Sequence, residues 1–577
     1  PNFSNNIYAD YAFSGENVQT SQNFQFNNGL DFDLSSLVEG LTAKTYFSFD
    51  YFNTFQDRQQ RTYAIYDATW TNGVDGEDIL SVTKIGDDVA EPKRTVQNTD
   101  FTRNYGANIQ INYSKDFGDN SFDATILGYH KTQQGNFQLF DNVYNHLGLR
   151  LNYDYKNKYI IDFSSSYATS RKLAAGNRGG FSPSIAFGWV ASRESFFKNT
   201  EFIDYLKFNI SAGINKSTDR ISNYYLYQDS FNTSGTYRWN DGGRSGRITQ
   251  LSVYGNPNLT YVERKEFNAG IEAVLFKSFG INASYFNTRF TGLPTQLNSI
   301  YTAFLGSQLP KSNHNENLYQ GLDFGINYSK KIGNFSIQTG LTSLYVTNDR
   351  VKFDQVNIYQ YLNREGKPAD GIFGLEALGF FNNQDDILNS PAQQFGTVKP
   401  GDIKYKDQNG DNLIDNNDAI LLGDSQPDLN YGVNLTLKYK GFSFFILGAG
   451  QAGGEIYDNS NYFWVSGNDK YSEIVRNRWT PQTAATATYP RLSSGENPNN
   501  FRNSSFWMRN SDYFKISRIQ LTFDFPKQVV SNLKMRDLGL YVRGNNLFTI
   551  SKNRDRIDLN SNSLQFHSFS LGVIANF

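Results

Sequence analysis

The sequence predicts an all-β chain that folds as a transmembrane antiparallel β-barrel, and three observations lead to this prediction. Apolar and polar residues alternate with a period of two along the whole chain, whereas helical periodicity is nearly absent. Tight turns and long connections alternate between these segments. Aromatic residues make up 16% of the chain although its mean hydropathy is only −0.55, which suits strands that carry apolar side chains on one face.

The composition excludes several other classes of protein. The 577 residues include 54 Lys+Arg and 56 Asp+Glu, and this near-neutral balance gives no electrostatic footprint for nucleic acid. The absence of Cys removes disulfide frameworks, thiolate zinc sites and cysteine catalysis. No stretch is apolar for long enough to form a transmembrane helix.

The clearest alternation lies at 517–525, where Ile519, Leu521 and Phe523 point to one face and the residues between them are polar. By this criterion we predict roughly 17 strands of about ten residues. They lie near 24–35, 42–56, 101–115, 121–133, 144–155, 158–170, 182–192, 205–215, 264–276, 279–290, 318–331, 334–348, 429–439, 441–451, 513–525, 537–548 and 568–577.

The connections predict which ends of the strands face the periplasm. Tight turns at 155–158, 331–334 and 439–442 are typical of periplasmic turns, and the two longest connections, 349–428 and 452–512, are predicted to be large extracellular loops. A soluble propeller or sandwich array is the alternative, but no repeat of suitable length occurs. A closed barrel satisfies its backbone hydrogen bonds internally, so we predict contact with outer-membrane lipid and a location in the bacterial outer membrane.

Several motifs give the chain a family resemblance. From about residue 150 onward it resembles the SusC/RagA family of TonB-linked outer-membrane receptors. The motifs that carry the resemblance lie at 152–159, 182–184, 188–189, 256–259, 400–407, 478–481, 489–492 and 544–548.

The resemblance implies a barrel of about 22 strands, a plug, a TonB-engaging N-terminal segment and a SusD-like surface lipoprotein as a lid. The 577 residues contain no plug-like domain and no TonB box, so 1–577 is predicted to be a partial barrel, roughly its last 17 strands. Either these parts lie upstream, or this relative has lost them. The implied function is import of oligosaccharides or peptides; the alternative is a structural scaffold within a larger outer-membrane assembly with other proteins.

One segment has the ligand spacing of an EF-hand calcium loop. The predicted ligands are Asp407, Asn409, Asp411, the carbonyl of Leu413, Asp415 and Asp418. Two departures are Asn412 in place of the usual Gly and Asp418 in place of the usual Glu, although Asn tolerates a left-handed backbone. We predict a structural Ca²⁺ that fastens the 349–428 loop; the alternative is a solvated turn rich in Asp and Asn.

Aromatic residues in the loops form a second candidate site. Contacts with a ligand or a lid are predicted for Trp239, Tyr457, Trp464, Trp479 and Trp507, and the alternative for each is packing between the long loops. No nucleophile–base or metal-ligand arrangement of His occurs, and we therefore expect the protein not to be an enzyme.

Overall fold

A computed structural model of the chain describes residue 11 and residues 15–576, except 61, 73–77, 89–92, 137–139, 198, 222, 239–244, 302–305, 307, 466, 468–470 and 557–565. The chain divides into two compact units. The first comprises 1–115, 123–150 and 166–170, and the second comprises 116–122, 151–165 and 171–577. Within the described ranges, no helix is both long and apolar enough to cross a membrane.

The described residues contain 29 strands, of which 17 belong to one large antiparallel sheet. In chain order all the strands are β1 (Gly15–Asp33), β2 (Leu41–Gln60), β3 (Ile65–Asn72), β4 (Asp78–Ile85), β5 (Lys93–Phe117), β6 (Asn120–Gly135), β7 (Asn142–Tyr155), β8 (Tyr159–Thr169), β9 (Gly179–Trp189), β10 (Ile203–Ser217), β11 (Ser230–Arg238), β12 (Ser245–Val253), β13 (Val262–Leu275), β14 (Phe279–Gln296), β15 (Lys311–Ile332), β16 (Phe335–Lys352), β17 (Gly371–Gly374), β18 (Ala377–Phe380), β19 (Ala392–Gln393), β20 (Ile403–Tyr405), β21 (Leu413–Ile414), β22 (Ile420–Asp424), β23 (Leu429–Tyr439), β24 (Phe442–Ala452), β25 (Glu455–Tyr457), β26 (Met508–Asn510), β27 (Tyr513–Asp524), β28 (Asp537–Ile550) and β29 (Ser568–Asn576). Each predicted strand corresponds to one strand of the large sheet, and the prediction of an antiparallel all-β fold is confirmed.

Helices are short and lie in the connections. Two α-helices lie wholly within the described residues, α1 (Gln384–Leu388) and α2 (Lys527–Asn532). Single 3₁₀ turns occur at Ala175–Asn177, Ala191–Arg193, Ser195–Phe197, Gln360–Leu362, Asn416–Asp418, Glu473–Asn477 and Ser505–Trp507. The sequence did not predict the strands of the connections, which form two-stranded sheets: β3 with β4, β11 with β12, β17 with β22, β18 with β20, β19 with β21, and β25 with β26.

In the first unit, β2 is the central strand of an antiparallel trio. It pairs with β1 from Gly15↔Gln60 to Asp33↔Thr42, and with β5 on its other edge. Apolar side chains of β1 such as Phe24, Phe26 and Phe32 lie on one face of the strand, as alternation requires, and they are exposed.

In the second unit, antiparallel pairing runs without a break from β9 through β10, β13, β14, β15, β16, β23, β24, β27 and β28 to β29. Each pair of side chains opposite each other in the ladder lies on the same face. Val433 is opposite Leu341, and Asn434 is opposite Gly340, so one face of the sheet is apolar and the other polar. The apolar face carries exposed large side chains such as Leu322.

The predicted tight turns are confirmed, and their backbone explains their sequence. Lys156 and Asn157 both have positive φ, at 58° and 51°, which a two-residue hairpin turn needs to match the twist of its strands. The amide N–H of Lys158 closes the turn on the carbonyl of Tyr155 at 2.9 Å. In the next predicted turn, Gly333 takes the left-handed position at φ 58°.

Candidate functional site

The two longest connections, 353–428 and 453–512, pack together into what we call the loop module, at the end of the sheet opposite to the tight turns. A buried apolar cluster joins them, with members from both connections: Leu375, Ile403, Tyr405, Ile414, Phe463, Val465, Val475, Tyr489 and Trp507. Each such side chain contributes about 1.5–3 kcal/mol on burial. The module is therefore a folded body and not a pair of solvated loops.

A buried charge lies beside this core. Asp402 has no exposed surface, and Arg491 of the other connection binds it: Nη2 lies 3.0 Å from Oδ2, and Nε lies 2.8 Å from Oδ1. The side-chain amides of Asn497 and Asn500 each donate to Oδ1 at 2.9 Å, and the backbone N–H of Lys399 donates to Oδ2 at 2.7 Å. A buried carboxylate needs such partners, so this network fixes how the two connections meet.

A second buried amide extends the network to β20. The Gln393 side chain accepts from the N–H of Tyr405 at 2.8 Å and donates to the carbonyl of Ile403 at 3.0 Å. It also donates to Asn499 at 2.6 Å. Burial raises the pKa of the Tyr405 phenol well above its ordinary value, so this hydroxyl stays a donor, to the carbonyl of Asn499 at 2.7 Å.

The structure brings four of the predicted aromatic contacts together in the loop module. Trp507 and Trp479 are buried, at 1% and 8% exposure, and the Trp507 indole N–H donates to the carbonyl of Asn500 at 2.8 Å. These two residues pack between the loops, which was the alternative interpretation. Tyr457 and Trp464 are partly exposed, with ring centroids 6.1 Å apart, and their contact with an outside partner stays a prediction. Trp239 lies outside the described residues.

The EF-hand-like segment closes on its own backbone. Asp407 accepts from the N–H groups of Gly410 at 2.7 Å and Asn412 at 2.8 Å. Asn409 accepts from the N–H of Asp411 at 3.0 Å, and Asp411 accepts from that of Leu413 at 2.8 Å. Asn412 has a positive φ of 62°, so the left-handed backbone expected of this Asn is confirmed.

The last two predicted ligands hold a helical turn. Asp418 is fully buried and accepts from the backbone N–H groups of Gln408 at 2.8 Å and Asp415 at 2.9 Å. Asp415 caps the same turn through the N–H of Asn417 at 2.6 Å. Within the part of the chain that the structure describes, no group of three or more His, Cys, Asp or Glu side chains is arranged to hold a metal ion. Calcium binding stays a prediction.

Carboxylates crowd the base of the loop module, where β22 and β25 meet the sheet. Burial, and then the negative charges of Asp370, Asp428 and Glu455, raise the pKa of Asp424 to about 6. Asp370 differs: burial acts to raise its pKa, but hydrogen bonds from Asn348, Gln426 and Ser425 lower it overall. One carboxylate of the group is thus held charged while its neighbour is poised to take up a proton.

Asparagine side chains of the polar face occupy space that glycines leave open on the next strand. We call this the amide belt: Asn209 with Gly270, Asn282 with Gly325, and Asn327 and Asn434 with Gly340. A Cβ at Gly340 would lie 2.6 Å from Oδ1 of Asn327 and 2.9 Å from Nδ2 of Asn434, closer than van der Waals contact allows. The belt contributes uncharged, hydrogen-bonding amides to a polar face on which the charged side chains of Lys207, Glu272 and Asp323 also lie.

Two sets of polar contacts were not predicted from the sequence, although the motifs contain residues of both. Arg491 lies in 489–492 and Asp402 in 400–407, but nothing local pairs them across 89 positions. The other set is centred on Glu194, which accepts from the Tyr159 hydroxyl at 2.7 Å, Lys158 Nζ at 2.9 Å and Trp189 Nε1 at 3.3 Å. These hydrogen bonds, the one from Tyr159 foremost, lower the pKa of Glu194 to about 2.

Comparison with known proteins finds relatives in sequence that are named TonB-dependent receptors. A scan against protein-family models found no match. The chain is 26% identical over 414 residues to TonB-dependent receptor P26 of Formosa agariphila, covering 69% of this chain and 41% of that protein. It is 22% identical over 499 residues to TonB-dependent receptor SusC of Bacteroides thetaiotaomicron, covering 79% of this chain and 47% of that protein. The chain spans about half the length of the curated relatives it matches.

The fold has a counterpart among solved structures. The RagAB peptide transporter superimposes with a TM-score of 0.71 at 15% identity, covering 94% of this chain and 60% of that chain. At this identity the likeness shows the fold, and it agrees with the antiparallel pairing and the two-faced strands described above. The chain is therefore SusC/RagA-like, a β-barrel chain of the bacterial outer membrane with the fold of the TonB-dependent receptors.

Proposed function

We propose that this chain is the barrel portion of a TonB-dependent importer that takes up oligosaccharides or peptides. The observation that carries the proposal is the match in fold to the RagAB peptide transporter over 94% of the chain. The name of the relative SusC and the uncharged amide belt on the polar face both support it. The proposal extends to a plug and a TonB-engaging segment upstream of residue 1.

The proposed partner is a SusD-like surface lipoprotein that closes the importer as a lid. The loop module supports this part of the proposal because it is a folded body at the end of the sheet opposite to the tight turns. We propose that this end is extracellular and that the lid sits on it. Its partly exposed Tyr457 and Trp464 are the candidate contacts. A folded surface loses less conformational entropy on binding a partner than flexible loops do, so its binding is more favourable.

The relatives are named as receptors and not as enzymes, which fits a protein without catalytic function. The alternative to import is a scaffold subunit within a larger outer-membrane assembly. Affinity purification of the native polypeptide from outer membranes, with intact mass and identification of copurifying lipoproteins, tests import against the scaffold. Import predicts a polypeptide considerably heavier than 65.6 kDa and a copurifying surface lipoprotein.

Uptake of labelled oligosaccharides and peptides by cells with and without TonB completes the test. The proposal expects uptake that stops when TonB is deleted or the proton gradient is collapsed. Uptake that is equal in the two strains would contradict it, and a stable assembly with several outer-membrane proteins but no uptake would favour the scaffold.

A further inference from the structure

A second group of connections forms a polar cleft, and its β14–β15 connection is hydrogen-bonded to Asp354 at the start of the loop module. Residues 255–260, which precede β13, line a cleft of about 440 Å³ together with Tyr301, Pro310 and the first residues of β15. Eight residues line it, and none of them carries a charge. The polar ones are Asn256, Asn258, Thr260, Tyr301, Ser312 and Asn313. The volume is within the range of clefts that bind small ligands, about 300–1,000 Å³.

Two of these asparagines hold the cleft in shape. Asn256 donates to the carbonyl of Lys311 at 2.8 Å and accepts from the N–H of Asn258 at 3.0 Å. Asn313 accepts from the N–H of Thr260 at 2.8 Å and donates to the carbonyls of Thr260 and Gly292 at 3.0 and 2.7 Å. The two walls are thus joined across more than 50 positions of sequence, so the cleft is formed before a ligand arrives.

A buried core supports the wall from behind. Leu259 is fully buried with Leu173, Ile221 and Leu226, and the Tyr261 hydroxyl donates to the carbonyl of Arg178 at 2.5 Å. The motif at 256–259 therefore has a physical meaning: Asn256 makes the turn that inserts Leu259 into the core and exposes Asn258 to the cleft.

Three side chains of the cleft are left to bind something else. Those of Asn258, Thr260 and Tyr301 make no hydrogen bond to any other residue that the structure describes. Together they offer an amide, two hydroxyls and an aromatic ring. This is the chemistry that holds an uncharged polyhydroxylated ligand, since amides and hydroxyls match sugar hydroxyls and a ring face covers the apolar side of a sugar. An acidic saccharide or a charged peptide would need a counter-charge in the lining.

A strained aromatic turn lies against the same wall. The N–H of Asn256 donates to the carbonyl of Leu226 at 2.9 Å. The backbone of Gln228 packs so closely on Gly255 that a Cβ there would collide with it. In this turn Tyr225 has a positive φ of 60° and is 39% exposed, with its ring centroid 5.6 Å from that of Tyr227. A bulky residue in the left-handed region is unfavourable, and such strain is retained where it serves function.

We propose that this cleft binds a neutral oligosaccharide, with Asn258, Thr260 and Tyr301 as direct contacts and Tyr225 as an adjoining aromatic surface. This assignment deepens the proposed function. It rests on that function only for the role of the ligand, which would be a nutrient captured for import. Binding by the cleft does not itself require TonB, a lid or transport.

The test is binding of the purified full chain in detergent to immobilised hexasaccharides. The set contains neutral α-glucan, β-glucan, xylan and mannan fragments, with hexagalacturonate and a hexapeptide for comparison, and affinity for the strongest neutral ligand is then measured by titration calorimetry. We expect Asn258→Ala and Tyr301→Ala each to weaken binding about tenfold or more, whereas Tyr301→Phe, which keeps the ring, weakens it less. Asn382→Ala, an exposed asparagine of the loop module, is the matched control and leaves binding unchanged.

Tyr225→Gly separates a binding role from a structural one. Glycine accepts the positive φ, so this variant should raise the melting temperature while lowering affinity for the neutral ligand. The proposal is overturned if no neutral fragment binds, if hexagalacturonate or the peptide binds more tightly, or if the variants bind like the parent chain. Loss of uptake with intact binding would instead count against the proposed import and leave the cleft assignment standing.

Discussion

At the scale of single residues, the buried ion pair of the loop module gives the sharpest prediction. Arg491→Met keeps most of the side-chain volume but leaves the fully buried Asp402 without its counter-charge. Removing one partner of a buried pair costs about 3–5 kcal/mol. Hydrogen exchange followed by mass spectrometry should show faster exchange across 393–405 and 489–507.

The control for this prediction is a solvent-exposed Arg–carboxylate ion pair in the same module. Arg476 and Glu473 are 80% and 75% exposed, 3.4 Å apart, and lie in the same module. Exposed pairs contribute about 0–1 kcal/mol, so Arg476→Met should leave exchange unchanged. Equal behaviour of the two variants would show that Asp402 does not depend on Arg491.

A pH dependence follows from the carboxylates at the base of the module. The pKa of Asp424 is raised from 3.8 to about 6, so the folded form takes up a proton before the unfolded form does. Stability should therefore rise as the pH falls from about 7 through 6, and level off below the unfolded pKa. Larger protection factors for 420–424 and 455–457 at pH 5 than at pH 7.5, that is, slower hydrogen exchange after correction for the intrinsic pH dependence of amide exchange, are the expected observation.

Asp424→Asn removes the charge that opposes folding. This variant should be more protected than the parent at pH 7.5 and should lose most of the pH dependence. Glu365→Gln, at an exposed carboxylate of the same connection, is the control and should keep it. A parent chain that becomes less protected on acidification in this range would contradict the assignment.

At the scale of elements, the question for the EF-hand-like segment is whether Ca²⁺ stabilises further a turn that its own backbone hydrogen bonds already hold. The oxygen atoms of Asp407, Asn409 and Asp411 already accept backbone N–H groups, yet each retains acceptor capacity for a hard cation. If calcium binds as predicted, millimolar Ca²⁺ slows proteolysis between residues 400 and 420, and Asp411→Ala abolishes the protection. Equal cleavage with Ca²⁺ and with chelator would exclude the site.

The strands of the amide belt make a second prediction at this scale. Gly340→Val places a side chain against Asn327 and Asn434, so either the strands shift or the asparagines are displaced. Overpacking of this kind costs about 1–3 kcal/mol. We expect less folded chain in outer-membrane fractions, measured as the band that shifts on heating in gel electrophoresis. Gly280→Val is the control, because its Cβ would have no neighbour closer than 4.0 Å.

The elements also show how far a local pattern reaches. The large-sheet strands were predictable because alternation is a property of the pleat itself, as β23 illustrates with Val433 and Leu435 against Asn434 and Thr436. The short strands of the loop module were not. Pairs such as β19 with β21 contain only two residues each, too few for any periodicity, and they form because the surrounding core holds them together.

At the scale of the whole molecule, the fold is shared with proteins of very different sequence. A TM-score of 0.71 at 15% identity means that the sheet tolerates replacement of most side chains, provided that each strand keeps one apolar and one polar face. The connections have more freedom, and there the loop module and the polar cleft are built. Substrate choice is therefore expected to reside in these connections.

The sequence by itself determined the all-β fold, the positions of the membrane strands, the tight turns and the likeness to SusC/RagA receptors, because all of these depend on residues close together along the chain. Only the tertiary structure decided that Trp507 is a core residue, that Arg491 neutralises Asp402, and that Asn258 and Tyr301 face one cleft. Asn497 and Asp402 are 95 positions apart, and no local pattern encodes which of many polar residues will meet at such a distance. That choice is made by burial, since a buried charge or amide is stable only where the folded chain supplies its partners.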